Sequence, residues 1–304
     1  MAGSGYLKDR VGLYVPFFIS IAVICAVILL LPYETVYVRD KTYLAAFLAT
    51  VCVCVAVFMV GTLFNILLWM RGKGLVGSPE RRLLRLARKA LRFAFSGRLW
   101  KMLKVFLKDA LYLSRLKERS LSRWFMHLMI LGGFALMFAL DIVVTVSLDL
   151  VRYRPMIDEG GWAKLWLRDF GFDLVGLMML VGLLIAAYRR FVSKPAIVRT
   201  ELPDAASILF LLAVVLGGFI LEGMGIAGSI PDHESGHEYS FVGYLFSLAM
   251  PESAGDYYDQ VWLVHGVMSA LLIAYIPFSK LFHMIATPVA IEAERMLSPE
   301  VGPR

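Results

Sequence analysis

Long apolar runs, with polar residues gathered between them, dominate the pattern of the chain. Crossing a bilayer as a helix takes about 20 predominantly apolar residues. Six runs meet that length within a few residues: Val11–Leu31, Leu44–Met70, Trp124–Leu148, Phe172–Tyr188, Ala206–Ala227 and Val261–Ile285. The fourth is the shortest. The expected fold is an all-α integral membrane bundle of six transmembrane helices. No internal repeat is visible, so an inverted-repeat transporter is not suggested. The first run has no small-residue cleavage site after it and reads as a span, not a leader.

Composition supports this. Of 304 residues, 59% are hydrophobic and 18% charged, with a mean hydropathy of +0.71. A soluble domain of this length could not hide so much apolar surface, so the solvent is lipid. Cys25, Cys52 and Cys54 all lie in apolar runs. They are too few for an iron–sulfur cluster or a disulfide framework. The net charge of +7 points to basic loops facing the cytoplasm, not to nucleic-acid binding.

The connection 71–123 sets the orientation. It carries sixteen Lys and Arg against Glu80, Asp109 and Glu118, which makes it cytoplasmic by the positive-inside rule. Alternation then places both termini and the Arg189–Arg199 turn, with Arg190 and Lys194, inside. The Ser229–Asp259 loop, with Asp232, Glu234, Glu238, Glu252, Asp256 and Asp259, falls outside. The organisation expected is a two-helix segment (1–70), a basic cytoplasmic loop (71–123), a four-helix bundle (124–285) and a cytoplasmic tail (286–304). Within the loop, Ser78-Pro79-Glu80 has the makings of a helix start. After it, Leu83, Leu84, Leu86, Ala87, Ala90, Leu91 and Phe95 interleave with cations at helical spacing. The pattern describes an amphipathic helix on the membrane surface, holding anionic lipid or receiving a cytoplasmic subunit.

Ionisable groups inside a span are expensive and usually functional. Of five histidines, His127, His265 and His283 lie in apolar runs, whereas His233 and His237 lie in the outer loop. Neutral imidazole is the usual axial ligand of haem iron. His127 begins the third span and His283 ends the sixth, so the topology places both at one depth, on oppositely directed helices. A haem between those helices fits. His265 precedes His283 by 18 residues, about 27 Å along an uninterrupted α-helix and on the same face. That suits two stacked cofactors. The plainer alternative is that each histidine hydrogen-bonds a neighbouring helix. No C-x-x-C-H occurs, so any haem is b-type. Among carboxylates, Glu222 near the outer end of the fifth span could relay protons. Asp141 and, as an amide, Asn65 are weaker candidates.

At these positions the chain resembles a known family. Trp124-Phe125-Met126-His127 with Leu128-Met129-Ile130-Leu131-Gly132-Gly133-Phe134 is similar to the second-span motif of the nitrate reductase gamma subunit. Leu263-Val264-His265, then Ile276-Pro277-Phe278-Ser279-Lys280-Leu281-Phe282-His283 and Pro288-Val289, resemble its last span. The Phe219-Ile220-Leu221-Glu222-Gly223 stretch and the extra N-terminal span resemble one branch. That branch is the membrane cytochrome b of heterodisulfide-reductase-like complexes: the E subunit of heterodisulfide reductase, and its counterparts in the sulfite-reduction-associated and transmembrane redox complexes.

The resemblance implies an inner haem on His127 and His283 and an outer haem on His265. The fellow ligand of His265 would stand ten residues after His127, where this chain has Met137. Either the outer haem is His/Met ligated, or a group such as His233 or His237 substitutes, or the site is empty. Arg119, Arg123 and Lys280 lie at the depth of haem propionates and equally at that of lipid phosphate. The expected function is electron transfer between membrane quinone or quinol, menaquinone in this family, and a cytoplasmic iron–sulfur subunit. Such a membrane protein completes no reaction alone, resides in the cytoplasmic (inner) membrane, and admits an extracytoplasmic cytochrome c as a further partner. The competing class is a cofactor-free membrane anchor or transporter subunit.

Overall fold

The computed structural model describes residues 2–31, 40–71, 78–95, 100, 104, 107–108, 112–158, 160–193, 202–230, 233 and 238–287. Lys73, Arg98, Lys101, Asp109, Lys194, Arg199, Asp232, Glu234, His237 and 288–304 lie outside them. Among the described residues there is no strand, and six helices are long and apolar enough to cross a membrane. The chain forms two compact units. One comprises Met1–Val27, Cys52–Arg115 and Ile273–Arg304, the other Ile28–Val51 and Leu116–Leu272.

Helices α1 (Ala2–Leu30) and α2 (Lys41–Trp69) are the first two spans. Asp40 starts α2 by accepting the Thr42 N–H at 2.8 Å and the Thr42 hydroxyl at 2.7 Å. Those donors, the backbone one above all, hold its carboxyl below the usual carboxylate range.

In the first unit, helix α3 (Pro79–Ala94) begins where the sequence predicts, with the Arg81 N–H donating to Ser78 Oγ at 3.2 Å. Its first turn is tied down on three sides. Glu80, only 5% exposed, faces Arg10 Nε at 3.5 Å, and Arg81 Nε donates to Asp9 Oδ2 at 2.8 Å. Arg82 donates to the Met70 carbonyl just past α2, capping a group the helix end leaves without an intrahelical partner. Leu84 lies in contact range of Gly12. Farther along, Leu91 and Phe95 are exposed. The helix is thus anchored at its start and presents an apolar and basic face over its second half.

The same unit holds the end of the last span. Helix α8 (Glu252–Phe278) stops at Phe278, not at Ile285 as its apolar run suggests. Ser279 is extended (φ −123°, ψ 171°), and a tight turn, Lys280–Phe282, follows. Pro277 favours a break here because it has no N–H. Leu281 N–H turns to Ser279 Oγ, at 3.2 Å, instead of to the Pro277 carbonyl. Asn65 Nδ2 takes that carbonyl at 2.7 Å. Gly61, one turn before Asn65, admits the break: a Cβ there would lie 2.7 Å from the Phe278 ring and 2.8 Å from Pro277 Cβ. Asn65 therefore satisfies a broken helix. The segment from His265 to His283 is not one regular helix, so the common facing inferred from α-helical periodicity does not hold.

In the second unit, α4 (Leu121–Leu150), α5 (Lys164–Ser193) and α6 (Leu202–Ala227) are the third to fifth spans. Ser120 caps α4 through the Arg123 N–H. Helices α4 and α5 approach closely through glycines on both sides. A Cβ on Gly182 would come within 2.7 Å of Met129 Cβ, and one on Gly133 within 2.4 Å of Met179 Cγ. Such small-residue contacts are how helices pack when lipid offers no hydrophobic drive for association. The fourth span corrects the sequence estimate: it starts at Lys164, not Phe172. Its first turns carry Lys164, Arg168 and Asp169, all buried. The connection between the fifth and sixth spans is structured in part. It holds helix α7 (Phe241–Ser247), and Met224, Ile230 and Tyr258 form a small buried cluster beneath it.

Candidate functional site

Two arrangements bring functional side chains together. One lies where α5, α6 and α7 meet. Asp173 of α5 is fully buried, and its Oδ2 accepts the Val242 N–H at 2.5 Å at the start of α7. Glu222 of α6 reaches the same place, against Asp173 and the Ser240 hydroxyl. It fits because residue 243 is glycine: a Cβ there would stand 2.5 Å from Glu222 Cγ and 2.6 Å from its Oε2. Asp173 Oδ1 is buried with no hydrogen-bond donor. Asp169, paired with Arg168 at 2.9 Å, is near enough to act electrostatically on Glu222. Two carboxyls placed side by side in this way can pass a proton between them.

One turn beyond Glu222 on α6, Gly225 makes room for the half-buried His233, whose ring would lie 2.5 Å from a Cβ there. His233 Nε2 is 3.2 Å from the Tyr258 hydroxyl. The sequence pattern singles out Glu222 and His233 but not Asp173, Lys164, Arg168 and Asp169. A signal was present. Lys164, Arg168, Asp169 and Asp173 put four ionisable residues within ten positions of a mostly apolar stretch leading into the fourth span, where such groups are costly and usually functional. Asp141, the weaker candidate, lies on an exposed face of α4.

The other arrangement concerns the histidines. His127 Nδ1 lies 2.7 Å from the Arg123 carbonyl, and His283 Nδ1 bonds the Lys280 carbonyl. A carbonyl can only accept, so in both rings Nδ1 carries a proton, and in a neutral imidazole Nε2 is then the nitrogen open to a ligand bond. Metal-binding histidines are commonly oriented by this kind of second bond. His265, in the second unit, rests against Gly217 and Gly218 of α6, where a Cβ would be 3.0 Å and 3.5 Å from its ring. Its Nδ1 is buried with no hydrogen-bond partner. The orphaned imidazole nitrogen is a candidate ligand atom, and its ring fills the space that the two glycines leave on the neighbouring helix. Each of the three imidazoles, taken by itself, is a candidate haem ligand by its chemistry. His127 and His265 belong to the second unit and His283 to the first. Met137 is half-buried on α4, and Arg119, Arg123 and Lys280 are exposed. Among the described residues, no three His, Cys, Asp or Glu side chains gather into a metal site.

Six apolar spans define a multi-pass membrane protein, and comparison with known proteins narrows it to a membrane redox subunit. Residues 103–291 match the family HdrE, the E subunit of dihydromethanophenazine:CoB–CoM heterodisulfide reductase. The HdrE protein of Methanosarcina mazei is 32% identical over 208 residues, covering 64% of this chain and 68% of the relative. Its counterpart in Methanosarcina acetivorans is 28% identical over 264 residues, covering 80% and 89%. The EtfAB:quinone oxidoreductase of Syntrophomonas wolfei is 23% identical over 248 residues, 77% of this chain but 31% of that longer protein. No solved structure matches. The chain belongs to the HdrE family of heterodisulfide reductase membrane subunits.

Proposed function

We propose that this chain is the b-type cytochrome subunit of a respiratory complex in the cytoplasmic membrane, joining a lipid-soluble quinone or quinol, menaquinone foremost, to an iron–sulfur partner on the cytoplasmic side. The observation that carries it is the matched state of His127 and His283: each gives its Nδ1 proton to a backbone carbonyl about one turn earlier and, as a neutral imidazole, keeps its lone pair at Nε2. The names of the relatives lend support, one naming dihydromethanophenazine and another quinone. When bound, b-type haem supplies one-electron transfer. The chain's own residues do the rest. His127 and His283 hold the inner group, and His265 the outer, with Met137 as its candidate fellow ligand. Arg119, Arg123 and Lys280 supply cations for propionates. Glu222 takes up protons.

A reduced-minus-oxidised absorbance spectrum of the purified chain is expected to show a b-type band, and an intact preparation without one would overturn the proposal. Docking of the cytoplasmic partner is assigned to the second half of α3. Arg82 is committed to the Met70 carbonyl, so the test falls on Arg85 and Arg88, both exposed. Their double charge reversal, R85E with R88E, should release the iron–sulfur subunit on co-purification while leaving the absorbance spectrum unchanged. Retention of that subunit at about 0.15 M salt, where surface charge still acts over roughly 8 Å, would count against α3 as the dock.

A further inference from the structure

We propose that Asp173 is the second member of a proton-holding carboxyl pair with Glu222, and that the pair accepts protons from the membrane quinol and hands them to His233 and Tyr258. The inference rests on the quinol reading above. What carries it is an atom without a partner. Asp173 is fully buried, Oδ2 is satisfied by the Val242 N–H, and Oδ1 has no donor although the Glu222 carboxyl stands against it. An acceptor left so in a buried place is costly. A proton shared with Glu222 supplies the missing donor.

The surroundings serve the same end. Glycine at 243 leaves the space that the Glu222 carboxyl takes, and the Ser240 hydroxyl bonds that carboxyl. Arg168 Nε pairs with Asp169 at 2.9 Å. The exit is one turn along α6, where Gly225 lets the His233 ring lie against the helix with Tyr258 at 3.2 Å.

The step balances as follows. Oxidising a quinol to a quinone breaks two O–H bonds and releases two electrons and two protons. The two electrons would go singly to one-electron acceptors, chemistry that b-type haem would supply when held by His265 or by His127 and His283. The pair begins with one shared proton. It gains a second from the quinol hydroxyl, becomes neutral, and passes one to the imidazole of His233 and on to water. The cycle repeats for the second proton.

Asparagine at 173 separates this role from a structural one. D173N keeps an oxygen for the Val242 N–H but cannot hold a transferable proton. In the intact complex, mixed with a short-chain naphthoquinol, D173N and E222Q should each slow haem reduction about 100-fold, the lower range for positioned proton transfer. Both should lose the carboxylic C=O band from the redox-induced infrared difference spectrum, while dithionite still reduces the haem fully. D173E, restoring an acid, should recover at least about a tenth of the wild-type rate, which a folding defect in D173N alone would not predict. A D173N rate within twofold of wild type with the carboxyl band intact would overturn the proposal. Wild-type protein that dithionite reduces but naphthoquinol does not would instead remove the quinol reading itself.

Discussion

Replacing His127 or His283 by alanine is expected to abolish one and the same b-type haem. Haem content and the reduced-minus-oxidised spectrum should fall equally in H127A, in H283A and in the double variant. Losing even an outer-shell partner of a metal ligand typically costs about 10–100-fold in affinity. Losing the ligand itself should therefore cost at least about 100-fold, enough to empty the site during purification. The equality of the two variants is the sharp part of the test, because neutral imidazoles that merely bonded carbonyls would leave the haem untouched. H265A should spare this haem and remove a second, spectrally separate one. M137L should mimic H265A where Met137 is the fellow ligand, and should keep both haems where another side chain serves. Full haem retention in H127A or H283A would sink the assignment of the inner site.

The expected losses follow from residues that were legible in the sequence for different reasons. Spans were readable because lipid permits only long apolar helices, and composition alone carries that signal. The start of α3 was readable because Ser78-Pro79 leaves local chemistry few alternatives. The extent of the fourth span was not. Lys164, Arg168 and Asp169 look like a membrane boundary when only hydropathy is counted, yet they are buried in the folded chain. Ion pairing such as Arg168 with Asp169 makes this tolerable, and pairing is a property of neighbours that the linear pattern does not hold. The break at Ser279 was hidden for the reverse reason. The apolar run continues to Ile285, and what permits the interruption is Asn65, more than two hundred residues away, accepting the duty of a missing N–H.

The candidate site was partly legible in the same way. Histidines and Glu222 stand out because charged and titratable groups are rare in lipid. Asp173 passes in the sequence for a residue at the edge of a short span. Only the fold brings it to Glu222, through a loop between the fifth and sixth spans that looks like a solvated connection. That loop is a structural piece: Val242 and Ser240 at the start of α7 hold the two carboxyls in place.

Alanine at Gly182 is expected to destabilise the chain far more than alanine at Gly133, although the two glycines face each other's helices. At 133 the obstacle to a Cβ is Met179 Cγ, the flexible part of a long side chain, with the backbone no closer than 3.4 Å. Methionine can turn away. At 182 the obstacles are Met129 Cβ at 2.7 Å, Ile130 Cγ1 at 2.9 Å and the Ile130 backbone nitrogen at 3.1 Å. None of these moves without moving α4. Overpacking of this kind typically costs about 1–3 kcal/mol, so G182A should unfold in detergent at clearly lower denaturant while G133A stays near wild type. Leucine at 182 should prevent the close approach altogether. Because Met129 lies two residues after His127, the displacement also moves the haem ligand, and G182L should lose the inner haem in any protein that still folds. Wild-type stability in G182A would mean that α4 and α5 are not held at this distance, and the glycines of the third-span motif would then need an explanation other than packing.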